Sequence, residues 1–155
     1  MILRQGTNKE MLKLWYKLYT TEFFSANIKK GNMEFWTIDD NGSLIGELYI
    51  FKKLGDSDFA DGNTTAYLSA FRIAESMQGR GLGTMLMNCA FERLRILNFK
   101  YITIGVKPEE EANIRLYTRM GFTEKIKTLC EDPCDVDRNS MPTKAERYLL
   151  LRKTL

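Results

Sequence analysis

The segment Gln78-Gly79-Arg80-Gly81-Leu82-Gly83-Thr84 most constrains what this chain can fold into, because its glycines sit where a strand-like run gives way to a helical one. Before it, Ala66-Tyr67-Leu68-Ser69-Ala70-Phe71-Arg72-Ile73 favours β structure; after it, Leu82, Met85, Leu86, Cys89, Ala90, Leu94 and Leu97 recur at helical spacing. The first turn of a helix has amide hydrogens with no partner inside the helix, and the aligned peptide dipoles add about half a positive charge there. An anion is therefore favoured at this junction, and Arg80 adds a full charge. The competing reading is a plain loop whose glycines only supply positive φ.

Two common phosphate motifs fail on spacing. The dinucleotide fingerprint needs a glycine where Thr84 stands, and the nucleotide-triphosphate loop would end in Gly-Lys-Ser or Gly-Lys-Thr, which is absent. The pattern that remains is Gln/Arg-x-x-Gly-x-Gly/Ala, filled by Gln78, Gly81 and Gly83. It resembles the coenzyme A loop of the GNAT family of N-acetyltransferases. A second block strengthens the resemblance. Tyr101-Ile102-Thr103-Ile104-Gly105-Val106 reads as a strand, Pro108 and Glu109 to Glu111 suit a helix N-terminus, and the helix closes at Gly121 after Arg115 and Arg119. Leu116, Tyr117, Gly121 and Phe122 match the family's Leu-Tyr-x-x-x-Gly-Phe, in the family's order and at about its separation from the first block.

The resemblance implies an α/β (α+β) fold: a central mixed, mostly antiparallel sheet with splayed fourth and fifth strands and helices on both faces. It implies acetyl-coenzyme A as cosubstrate, with Phe71 and Ile73 pairing with the pantetheine arm and Gln78, Gly79, Arg80, Gly81, Leu82, Gly83 and Thr84 holding the diphosphate. A backbone amide near Phe71 would meet the thioester carbonyl, and Tyr117 matches the family's general acid. The family's asparagine seven residues before that tyrosine is Glu110 in this chain, and Asn113, one helical turn on, stands in for it as the pantetheine contact.

The chain has 155 residues, 44% of them hydrophobic, enough for one sizeable core, so residues 1–155 read as a single domain. With 23 basic and 20 acidic residues the net charge is +3, with no long basic run. That disfavours a nucleic-acid partner and suits a polyanionic ligand. No apolar stretch reaches the roughly 18 residues that span a bilayer, and Met1-Ile2-Leu3-Arg4 is no secretion signal, so a soluble cytoplasmic protein with no membrane partner is expected. A homodimer is compatible with this reading.

There is no histidine. Ser-His-Asp and Cys-His catalysis are thereby excluded, and any acid or base must be Asp, Glu, Tyr, Lys, Cys, a terminal group or relayed water. Direct acyl transfer to an amine needs no enzyme nucleophile and survives this test. Cys130 and Cys134 lack further cysteines or histidines to complete a zinc site, Cys89 reads as core, and no metal is assigned.

The acceptor is expected to be a small-molecule amine or a peptide amine. Asp58 and Asp61, in an acidic loop with Asp56, are candidate groups for drawing a cationic amine, against the reading of a solvated loop. Glu47 and Glu75 are candidate bases, and Phe23, Phe24 and Trp36 either shape the acceptor pocket or fill the core. Two other function classes fit the glycine loop: a non-catalytic acyl-coenzyme A sensor or interaction module, and a binder of another phosphate ligand such as a nucleotide or RNA backbone.

Elsewhere the pattern predicts a strand at residues 2–5 and a helix over about 8–19, capped by Thr7 or Asn8. A second helical piece covers 22–29. Strands at 33–38 and 44–53 form a hairpin on a four-residue turn, Asp39-Asp40-Asn41-Gly42. Strands at 122–129 and 147–153 flank a loop over 131–143 that holds Pro133 and Pro142.

Overall fold

The computed structural model describes residues 1–155. Its elements are β1 (Ile2–Gln5), α1 (Asn8–Leu14), α2 (Leu18–Lys29), β2 (Met33–Asp40), β3 (Ser43–Phe51), β4 (Thr65–Ile73), α3 (Leu82–Ile96), β5 (Tyr101–Val106), α4 (Glu111–Arg119), β6 (Glu124–Val136) and β7 (Pro142–Thr154). A single 3-10 turn, Glu75–Met77, precedes the glycine loop. The strands form one seven-stranded sheet in the order β1-β2-β3-β4-β5-β7-β6. Only β4 and β5 run parallel, which requires the crossover that α3 supplies. The mixed α/β architecture expected from the resemblance is the one observed.

Alternation along each strand builds two cores, one on each face of the sheet. Leu48, Ile50, Ala66, Leu68, Ile102 and Ile104 pack against Leu86, Met87, Ala90 and Phe91 of α3 and Tyr117 of α4. Tyr49, Phe51 and Tyr67 point the other way, to Met11 of α1 and Phe24 of α2. A bulge in β4 inverts this alternation. Between the pairs Tyr49↔Ser69 and Glu47↔Arg72, β4 carries one residue more than β3, and Ala70 takes the left-handed conformation at φ 50. Past the bulge Phe71 and Ile73 join the α3/α4 face, whereas Tyr67 belongs to the α1/α2 face.

The pairing of β4 with β5 runs only from Thr65↔Tyr101 to Leu68↔Ile104, although β4 continues to Ile73. The two strands therefore splay, and the last turn of β4 presents a free edge.

Three local expectations are corrected. The helix foreseen over 8–19 breaks at Trp15–Lys17: Trp15 is extended (φ −112, ψ 140), because its indole Nε1 donates to Tyr49 Oη at 2.9 Å across the molecule. The hairpin turn has two residues, Asn41 and Gly42, both at positive φ (52 and 91), the geometry that matches strand twist. The segment read as a loop over 131–143 is mostly strand, since β6 reaches Val136 and β7 starts at Pro142. Pro133 is tolerated because β6 is an edge strand whose register slips between Asp132 and Val136, and Pro142 because it is the first residue of β7.

Candidate active site

A cleft of about 680 Å³ opens where β4 leaves β5. Its walls are the end of β4 (Phe71, Ile73), the glycine loop and first turn of α3, and one side of α4. Gln78, Gly79, Gly81, Leu82, Gly83, Thr84, Asn113 and Tyr117 all line it, so the structure brings together most of the residues singled out in the sequence.

The glycine loop gives the cleft its main-chain donors. Gly79 and Gly81 have φ of 75 and 78, and Gly81 is the residue that caps α3 in a left-handed conformation. No side-chain atom lies within 4 Å of a Cβ built at either glycine, so they are required for backbone conformation and not for packing. The first helical hydrogen bond is Met85 N to Gly81 O at 3.0 Å. The amides from Gly79 through Thr84 consequently donate to no main-chain acceptor. Such a row of unpartnered donors at a helix N-terminus is a cradle for phosphate oxygens.

The free edge of β4 supplies the second half of the site. Ala74 N donates to Ile45 O at 2.8 Å, and strand alternation then turns the main-chain groups of Phe71 and Ile73 away from β3, toward the gap. Gln78 Nε2 donates to Ile73 O at 3.1 Å and ties the loop back to the strand. An extended amide-bearing chain can pair with this edge as an added strand does.

Tyr117 sits on the α4 wall. A Schellman motif ends its helix, with Phe122 N donating to Tyr117 O at 2.9 Å and Gly121 N to Thr118 O at 3.0 Å, Gly121 standing at φ 102. The Tyr117 ring packs edge-on to Phe122 with centroids 6.0 Å apart. Burial first, then the nearby Glu110 carboxylate, pushes the phenol up to about 12. It is thus protonated throughout the neutral range and able to donate. Asn113, on the same helix, reaches the cleft while its Nδ2 donates to Glu110 Oε2 at 2.8 Å, so these two side chains form one unit.

Arg119 and Arg72 also line the cleft, and sequence reasoning gave neither a role. Arg119 was legible only as a helix-end cation. Arg80, by contrast, is not part of the cleft lining.

The acidic loop lies elsewhere. It precedes β4, at the end of that strand remote from the splay, because β4 runs from Thr65 toward the glycine loop. Asp58 pairs with Lys127 at 2.9 Å, as Asp56 does at 2.6 Å. Asp61 takes the hydroxyl of Thr64 and the amides of Asn63, Thr64 and Thr65. Burial opposes its ionisation, yet those hydrogen bonds hold its carboxyl well below the usual range. Asp58 and Asp61 shape this turn and do not reach the cleft. Glu47 is similarly committed: it accepts from Tyr49 Oη at 2.7 Å and is ion-paired with Arg72, whose guanidinium stacks 5.0 Å from the Trp15 ring. Phe24 is core, and Trp36 packs on the other face.

No group of three or more His, Cys, Asp or Glu side chains is arranged to hold a metal ion, and all three cysteines are unpaired. No helix is long and apolar enough to cross a membrane.

Fold and cleft together set a free strand edge beside a row of unpartnered amides at a helix N-terminus. The chain belongs to the GNAT acetyltransferase family: the model described as Acetyltransferase (GNAT) family matches residues 3–122. It is similar to YdgE, an uncharacterised N-acetyltransferase of Bacillus subtilis (strain 168), at 27% identity over 92 residues, 59% of this chain and 55% of that protein. The match thus spans about half the length of that curated relative. Among solved structures, ribosomal-protein-alanine N-acetyltransferase from Brucella melitensis superposes with a TM-score of 0.72 at 17% identity, covering 100% of both chains. A GNAT family acetyltransferase from Elizabethkingia anophelis with acetyl-CoA bound superposes at 0.67 and 18% identity, covering 99% of this chain and 97% of that one. At these identities the likeness is one of fold.

Proposed function

We propose that this protein transfers an acetyl group from acetyl-coenzyme A to a primary amine, by direct attack within a ternary complex. The observation that carries the reading is the row of unpartnered amides from Gly79 through Thr84 beside the free edge of β4. In this reading the amides hold the diphosphate, with Arg119 adding charge, and the Phe71 and Ile73 main chain pairs with the pantetheine amides. Asn113 contacts the same arm. Lying along β4 in this way, the thioester would fall in the splay, where a main-chain amide near Phe71 stabilises the oxyanion.

Tyr117 acts as general acid. Its protonated phenol faces the cleft and hands a proton to the departing thiolate, a sulfur anion weak enough as a base to need only modest help. No enzyme nucleophile is required, in keeping with the absence of histidine. The acceptor is a small-molecule or peptide amine, and the protein works in the cytoplasm.

The test is release of free thiol from acetyl-coenzyme A across a set of primary amines, run beside calorimetric binding of coenzyme A. Turnover with at least one amine supports the reading. Tight coenzyme A binding with no turnover on any amine would make the protein an acyl-coenzyme A sensor, and no binding would leave the cleft to a different phosphate ligand.

A further inference from the structure

On the α1/α2 face, directly across the sheet from Tyr117, two small cavities of about 190 and 270 Å³ share one wall residue, Asp132 of β6. The smaller reaches the splay: Gly105 of β5 lines it, one residue beyond the last paired residue of that strand, together with Tyr67 of β4, which still pairs with Thr103. The larger opens beside Trp15, Lys17 and Arg72.

Of the two carboxylates on the larger cavity, Asp132 is the one without an ion pair. Its neighbour Asp135 is occupied, ion-paired with Lys17 at 2.9 Å and accepting from Thr20 Oγ1 at 2.7 Å. Asp132 accepts at Oδ1 from Cys134 N at 2.9 Å and makes no ion pair. A second polar group at the same place also lacks a partner. Tyr67 is 7% exposed, its hydroxyl makes no hydrogen bond within the chain, and it lines the cavity that Asp132 lines. A Cβ at Gly105 would stand 3.4 Å from that hydroxyl, so the missing side chain leaves the phenol's approach to the splay open. The phenol oxygen is not sealed from solvent, so it is free to take a partner that enters the cavity.

We propose that Asp132 receives the ammonium of the acceptor and takes its proton, the amine reaching the splay from the α1/α2 face with Tyr67 as its second hydrogen-bond partner. This rests on the acetyl-transfer reading and assigns the base that the reading lacks. Acid and base then stand on opposite faces of the sheet, with the thioester between them.

The proton balance closes. Asp132 takes one proton from the ammonium and later releases it to solvent; the freed lone pair forms the C–N bond and the C–S bond breaks. Tyr117 gives its proton to the thiolate, and the proton the new amide nitrogen sheds restores the Tyr117 phenol. The acceptor class is a primary ammonium, and Asp132 must be ionised to accept its proton. Burial raises the Asp132 carboxyl above the usual range, the Cys134 amide opposes this, and Asp135 adds to it. The groups facing Asp132 are Tyr67 from β4, Tyr148 from β7, Cys134 and Asp135 from β6, and Lys17 from the α1–α2 connection. Lys107, Glu110 and Glu146 line the same cavity, Lys107 and Glu146 paired at 3.0 Å.

The test compares the parent with Asp132→Asn, which keeps the acceptor oxygen for the Cys134 amide. The probes are n-butylamine, 1,4-diaminobutane and the dipeptide Ala-Gly. At pH 7 the variant should lose on the order of 100-fold or more in kcat/KM for the amine. Its rate should climb about tenfold per pH unit as free amine appears in solution, while the parent stays level. Calorimetry should show unchanged affinity for coenzyme A and about tenfold weaker binding of 1,4-diaminobutane to the coenzyme A-loaded protein. Matching pH profiles in parent and variant would overturn the assignment of Asp132 alone. A parent that binds coenzyme A and acetylates none of the three amines would overturn both this assignment and the acetyl-transfer reading.

Discussion

The ring of Phe71 lies against Gly83 so closely that a Cβ at Gly83 would come within 3.0 Å of Phe71 Cζ. This contact couples the strand edge to the first turn of α3. A methyl group there must push the ring by a few tenths of an ångström into the cleft. Gly83→Ala should therefore weaken coenzyme A binding about three- to tenfold, read by calorimetric titration. An unchanged affinity would show that strand edge and glycine loop work independently.

Gly81→Val should abolish coenzyme A binding and leave the circular dichroism spectrum close to the parent's. The space beside Gly81 is open, so the cost is conformational: a β-branched residue at φ 78 carries about 1–3 kcal/mol of backbone strain. The loop relieves that strain by abandoning the arrangement that aims its amides outward. A folded variant with the parent's affinity would remove the glycine loop from the binding site.

Tyr117→Phe keeps the packing on Phe122 and deletes only the hydroxyl. Turnover should fall by about 10- to 1,000-fold, in kcat, with KM for acetyl-coenzyme A nearly unchanged. Because burial and Glu110 push this phenol up to about 12, the acid stays loaded as pH rises, and Tyr117 should impose no loss of rate below about pH 11. Parent-like turnover in the variant, with chemistry rate-limiting, would make Tyr117 a packing residue.

The cleft on the α3/α4 face was legible in the sequence because its conformation is local. Gly81 and Gly83 announce a backbone conformation within one loop, and Tyr117 is positioned by the Gly121–Phe122 helix end that follows it. The opposite face was not, because distant partners determine it. Trp15 leaves the helix for Tyr49, 34 residues away, and Asp132 and Pro133 read as loop because only the edge position of β6 lets such residues stay in the sheet. For Asp58 and Asp61 the charge was visible in the sequence, but not which end of β4 carries their loop.

Arg119 and Arg80 should separate by salt dependence. Both side chains are exposed, but Arg119 lines the cleft and Arg80 does not, so Arg119→Ala should cost more coenzyme A affinity than Arg80→Ala, whose loss is expected at about 0.2–1 kcal/mol. The Arg119 variant should also lose affinity less steeply as salt is added. The reverse order would place the phosphates over Arg80.

Stability should depend on pH through the capping box of α1, where Thr7 Oγ1 accepts from Glu10 N at 3.2 Å and Glu10 Oε2 accepts from Thr7 N at 2.8 Å. The Arg4 guanidinium, then the Thr7 amide, holds the Glu10 carboxyl at about 2, against an ordinary value of 4.5. A lowered folded-state value means stabilisation fully present above pH 4.5 and lost as pH falls toward 2. Thermal melts of the parent and Glu10→Gln should differ at pH 6 and converge near pH 2. A constant gap across that range would show that the charge on Glu10 contributes nothing.

Central to this account is that the amides from Gly79 through Thr84 hold a diphosphate. The most direct measurement is a ¹H–¹⁵N spectrum of labelled protein titrated with coenzyme A and, separately, with pantetheine, which lacks the diphosphate. Those amides should shift strongly with coenzyme A and little with pantetheine, while amides along the end of β4 move with both. Loop amides that stay put at saturating coenzyme A, or respond equally to the two ligands, would contradict it.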